Sequence, residues 1–231
     1  FVTFSYWQIA WSRQARWYTL FALFFWFALY FFYQTRYGTK KHRPYYALLT
    51  ALATLLAILT HQIGMLLIGI FAFWILAETL KDTARHSFIR TFGVVSALGA
   101  GAYAIDIIFD LHFIGALFNH ITPSYVLPYY LSFYLREYWL FIPLAIGAVI
   151  FTHKHKTAIW LLLTTLGAYV LALGTLTPIV HYRYLFHVTP VLYILGAVFV
   201  VFVYDKLPSR MLKTLFATGI AGMFLTVFQS S

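Results

Sequence analysis

Cysteine is absent from this chain, which excludes a disulfide framework, a thiolate zinc site and a cysteine nucleophile, and leaves the redox compartment unreadable. Charge is scarce too. Asp, Glu, Lys and Arg together make up 10% of the 231 residues, against about a quarter in a soluble domain. The opening residues, from Phe1, lack the charged, apolar and small-residue regions of a secretory signal. The expectation is a chain that begins mid-protein. No internal repeat is visible, so an inverted-repeat transporter gains no support.

What is present is apolar and aromatic surface. Hydrophobic residues reach 62% and aromatics 21%, and mean hydropathy is +0.81. Nearly every window of about 20 residues is apolar enough to cross a bilayer, so lipid is the expected solvent. The fold expected is an all-α, polytopic transmembrane helical bundle occupying 1–231 as a single domain. The formal charge of +10 would suggest nucleic acid in a soluble protein. Here the basic residues sit in short clusters between apolar runs, where they set topology, and a nucleic-acid partner is rejected.

Apolar runs between polar breaks predict about eight spans, near 17–33, 45–60, 63–80, 88–108, 137–152, 157–176, 184–204 and 211–228. Residues 45–80 as one helix would be about 54 Å long, too long for a core of about 30 Å. Thr60, His61, Gln62 and Gly64 are the natural place to fold that stretch into a hairpin. Twelve of the sixteen lysines and arginines then fall in alternate loops: Arg36, Lys40, Lys41 and Arg43; Lys81, Arg85 and Arg90; Lys154 and Lys156; Lys206, Arg210 and Lys213. Basic loops stay cytoplasmic, so span count and orientation support each other. Aromatics near the predicted entries, among them Trp17, Tyr18, Tyr138 and Trp139, suit an interfacial belt.

The remaining four arginines, Arg13, Arg16, Arg136 and Arg183, fall on the other, external side. Arg13 and Arg16 are three apart; Arg183 and His187 are four apart, which on a helix would place each pair on one face. Both pairs suit a phosphate, because the guanidinium fork offers paired donors and stays charged. The competing explanation is that these arginines snorkel to lipid headgroups. His61, at the hairpin tip on the same side, suits donation to a phosphate or a sugar hydroxyl, with hairpin capping as its structural alternative. Asp106 is the acidic residue most clearly inside an apolar run, and Asp110 and Glu137 are external carboxylates. Asp106 and Glu137 are the candidate catalytic carboxylates, and neither acidic nor histidine residues show a metal-ligand spacing. His153 and His155, between lysines, read as a solvated turn.

Residues 109–136 are too polar to span and are expected to form an external interfacial segment. Its first part is amphipathic, and after it Pro123 and Pro128 are expected to break helical structure within a loop rich in tyrosine: Tyr125, Tyr129, Tyr130 and Tyr134.

The stretch Ser12-Arg13-Gln14-Ala15-Arg16-Trp17-Tyr18 opening a span, a basic loop, a hairpin at Thr60-His61 and a late Arg183-Tyr184 with Pro190 together resemble the GT-C membrane glycosyltransferases. The similarity is to the group of the dolichyl-phosphate-mannose protein mannosyltransferases and the bacterial aminoarabinose transferase. It implies sugar transfer from a polyprenyl-phosphate carrier to a glycan, lipid or protein acceptor of the cell envelope, on the non-cytoplasmic face of the plasma (inner) membrane. Arg13, Arg16, His61, Arg183 and His187 would bind the donor phosphate, with a divalent cation as an optional cofactor. The family's acidic first external loop has no counterpart here, and its motif glutamate reads Gln14. The resemblance therefore places the catalytic base upstream of Phe1. An O-antigen ligase or polymerase uses a similar donor but carries a longer central external loop. A transporter or flippase of lipid-linked or amphipathic solutes would show polar residues and broken helices at mid-membrane depth.

Overall fold

A computed structural model of the chain describes residues 17–81, 125–152, 156–176 and 181–229. The predicted span 88–108, the amphipathic part of the external segment, Arg13, Arg16, Asp106, Asp110, His153 and His155 lie outside the described residues. Among the described residues the structure is all-helical, with eight α-helices and three short 3-10 turns.

Helix α1, Trp17–Tyr37, is almost wholly apolar and aromatic. A short turn and the 3-10 segment Lys40–His42 lead into α2, Arg43–Thr60, whose second residue is Pro44. Proline is well placed there because the first helical N–H groups have no partner within the helix. The chain then turns at His61, passes through the 3-10 segment Gln62–Met65 and enters α3, Leu66–Lys81, so the break lies where the polar residues put it. A Cβ at Gly64 would come within 2.8–3.0 Å of the backbone of Ala57 and Ile58, so only glycine lets the turn lie this close against α2.

Helix α4, Leu127–Glu137, is followed after three residues by α5, Phe141–Phe151. The two are bent by 93° to one another. The expected tyrosine-rich loop is thus corrected to a helix. Pro128 stands in its first turn and starts it rather than breaking it. Tyr130 and Tyr134 are buried, since α4 turns its aromatic side inward. Helix α6, Lys156–Leu176, packs against α3, α4, α5 and a further helix, α7, Pro190–Lys206. Between α6 and α7 lies the 3-10 segment Tyr182–Leu185. Pro190 begins α7, so the regular helix starts six residues later than the span predicted from 184. The last helix, α8, Arg210–Gln229, is capped by Ser209, whose Oγ accepts from the Leu212 N–H at 3.2 Å.

Among the described residues three helical segments are long and apolar enough to cross a membrane, 18–37, 40–60 and 156–176, or four if the bent pair α4–α5 is one span. That is the pattern of an integral membrane protein. The outward surface agrees: Leu48, Met211 and Leu215 are among many large apolar side chains left exposed. Hydroxyl groups inside the helices satisfy themselves locally. Thr54 and Thr165 each donate to the carbonyl four residues earlier at 2.8 Å, which removes the penalty of an unpaired donor in lipid. Aromatic packing fills the core, as where Phe32 of α1 stacks on Phe71 of α3 with centroids 4.2 Å apart.

Candidate functional site

At one end of the bundle, three parts of the chain distant in sequence meet: the first turns of α1, the hairpin after α2 and the segment 181–189 before α7. They bring His61, Arg183 and His187 together with Tyr18, Phe21, Phe25 and Tyr184.

His61 lies in extended backbone, and its Nδ1 accepts the Ile63 N–H at 3.0 Å. This caps the 3-10 turn and leaves Nε2 as the protonated nitrogen of the neutral ring. The ring is half enclosed by Phe21, Tyr18 and Tyr184, at centroid distances of 5.4, 5.8 and 5.8 Å. Burial first, and then the positive charge of Arg183, push its pKa down to about 4. His61 is therefore a neutral donor at physiological pH. Capping and donation are compatible, because they use different ring nitrogens.

The guanidinium of Arg183 lies over the rings of Tyr184, at 5.3 Å, and Tyr18, at 5.9 Å. A hydrogen bond to Tyr184 and the neighbouring tyrosines hold its pKa above the usual arginine value. Its Nε is buried with no hydrogen-bond partner among the described residues. A cation held over two aromatic rings keeps its charge while losing part of its hydration, a state suited to an anion.

His187 is placed differently from the shared helical face that its spacing from Arg183 suggests. Residues 182–189 are a 3-10 segment and turns rather than α-helix. The tighter winding sends His187 inward, 2% exposed, into a box of Phe21, Tyr169 and Phe25 with centroids at 4.6, 4.6 and 4.7 Å. Its Nε2 is buried without a hydrogen-bond partner among the described residues. His187 thus stands behind His61 and away from the surface where Arg183 is reached.

Tyr169 was not singled out by sequence reasoning. It is fully buried on α6, and its hydroxyl donates to the Ile63 carbonyl at 3.1 Å, tying α6 to the hairpin that carries His61. A tyrosine in an apolar span was the one available signal, and its partner lies 106 positions away. Tyr18, assigned by pattern to the interfacial belt, is 7% exposed and forms a wall of the site.

Glu137 is held by its neighbour: Arg136 Nε donates to Glu137 Oε1 at 2.8 Å. That pair accounts for both charges without a ligand. Among the described residues no three histidine or carboxylate side chains gather as a metal site, so the optional divalent cation has no residues assigned to it.

The chain matches no protein-family model, no curated protein and no solved structure.

Proposed function

We propose that this chain is the membrane module of a glycosyltransferase, GT-C-like with about eight spans. It would move a sugar from a polyprenyl-phosphate carrier to an acceptor on the non-cytoplasmic side of the plasma (inner) membrane. The observation that carries this reading is the convergence of Arg183 and His61 at one end of the bundle, in an aromatic enclosure. The lipid carrier explains why a membrane enzyme is needed. As the glycosidic bond breaks, negative charge grows on the departing phosphate; a fixed guanidinium and the His61 Nε2–H would stabilise that charge. Arg16, two residues before Tyr18 in sequence, is a third candidate donor. The catalytic base is assigned to no described residue.

The bend of 93° between α4 and α5 favours a second reading, a transporter or flippase of lipid-linked or amphipathic solutes, since such proteins break their helices within the membrane. One experiment separates the two. The protein, expressed from its complete reading frame in membranes, is offered radiolabelled polyprenyl-phosphate sugars beside Arg16→Ala, His61→Ala and Arg183→Ala at matched expression. Sugar transfer lost in all three variants supports the glycosyltransferase; absence of transfer from any donor, with solute flux instead, replaces it with the transporter.

A further inference from the structure

The opposite end of the bundle holds a second enclosure that the proposed reaction does not use. Tyr37 at the end of α1, Trp74 and Glu78 on α3, and Lys156, Thr157 and Trp160 at the start of α6 line a cavity of about 520 Å³. Its polar groups are already arranged. Glu78 Oε2 accepts from Arg36 Nε at 2.8 Å and from an Arg36 terminal nitrogen at 2.6 Å, while its other oxygen accepts from the Tyr37 hydroxyl. Trp74 Nε1 in turn donates to that hydroxyl oxygen at 2.9 Å. The carboxylate is therefore neutralised inside the wall, and the two aromatic rings are locked in orientation by their polar ends.

With Arg36 and Glu78 cancelling, the charge left at the cavity among the described residues is the ammonium of Lys156, an exposed side chain that lines it together with Thr157. Lys40, Lys41 and Arg43 follow Tyr37 within one short connection and add to the positive field at this end. The cavity lies where two of the membrane-length helices, α1 and α6, reach their ends, which places it at headgroup depth. Trp160 is 46% exposed there, an indole at the level where tryptophan prefers to sit. A small inorganic anion would satisfy the ammonium but leave both indoles uncovered. A phosphodiester with a glycerol backbone covers both.

We propose that this cavity binds the headgroup of an anionic phospholipid, with the phosphate on Lys156 and the glycerol region against Trp74 and Trp160. Basic pockets between helices at the cytoplasmic boundary recognise lipids by this chemistry. The site is independent of any sugar-transfer activity.

The test is tryptophan quenching by brominated lipid, with the purified chain in phosphatidylcholine bilayers. Brominated phosphatidylglycerol or brominated phosphatidylcholine is added in increasing mole fraction. Part of the wild-type fluorescence is expected to be quenched at about fivefold lower mole fraction of the anionic lipid, the size of preference that one cation at an anionic surface confers. Lys156→Gln should lose that preference, Lys156→Arg should keep it, and Trp74→Phe with Trp160→Phe together should remove most of the sensitive fluorescence. Equal quenching of wild type by both lipids, or a preference unchanged in Lys156→Gln, overturns the proposal. A salt titration of wild type needs no variant: the preference should shrink between low and high ionic strength, and a salt-independent preference also overturns it.

Discussion

At the scale of single residues, the candidate site is built from side chains doing two jobs at once. His61 caps a turn with Nδ1, which leaves its proton on the enclosed Nε2. Its pKa of about 4 when folded, against 6.5 when unfolded, makes stability depend on acidity. Above pH 6.5 neither state is protonated and the contribution is whole. As pH falls from 6.5 to about 4, the unfolded chain takes up a proton that the folded one refuses, and stability drops by up to about 3 kcal/mol before levelling off. His61→Asn keeps a capping acceptor and removes the titration, so its thermal unfolding in detergent should fall less steeply over that window; an equal slope refutes the assignment. Tyr169→Phe leaves the Ile63 carbonyl without its hydroxyl donor in a dry interior. It should cost about 1–2 kcal/mol, read by the same unfolding measurement. At Arg183, Arg183→Lys should fall well short of wild type in the sugar-transfer assay, because lysine keeps the charge but not the planar fork that lies over Tyr18 and Tyr184.

At the scale of the elements, close approach of helices sets what the chain tolerates. A Cβ at Gly174 of α6 would lie 2.8 Å from the Cα of Leu127, so α4 sits against α6 with no room for a methyl group. Gly167, on the same helix, has nothing within 4 Å. Gly174→Ala should destabilise by about 1–3 kcal/mol through overpacking. Gly167→Ala should be neutral or stabilise by up to about 1 kcal/mol through helix propensity. Opposite signs from one substitution on one helix would establish the α4–α6 packing, and equal signs would argue against it. The prolines show the complementary limit of local reading. Pro128 and Pro190 both announce a helix boundary, but a residue that cannot continue a helix is equally suited to begin one, and only the following residues decide which.

At the scale of the whole molecule, the question is which ends of the helices face which side. The absence of native cysteine makes the chain suited to single-cysteine labelling with a membrane-impermeant maleimide. If the basic connections lie in the cytoplasm, Thr39→Cys and Ser209→Cys should react only when that side is exposed. Tyr125→Cys, at a position 96% exposed, should react from the opposite side. Reaction of Thr39→Cys and Ser209→Cys from outside and of Tyr125→Cys from the cytoplasm would reverse the sidedness on which the proposed function rests, and labelling of all three from one side would refute the alternation of loops.

Much of this architecture follows from local sequence. A lipid solvent, the helices at 17–37, 43–60, 156–176 and 210–229, and the turn at His61 each follow from runs of apolar residues and the polar breaks between them. Within a bilayer, backbone groups must be satisfied inside each segment, so composition dictates helix almost without help from neighbours. Packing alone decided what the helices enclose. The sequence determined that Arg183 and His61 stand at helix ends, but their meeting across Tyr18 and Tyr184, the inward turn of His187 and the bond from Tyr169 to Ile63 arise from contacts between segments far apart in sequence, from 106 residues for Tyr169 and Ile63 to 166 for His187 and Phe21. Apolar periodicity is nearly uniform around such helices, which leaves the inward face unmarked in the sequence until neighbouring helices choose it.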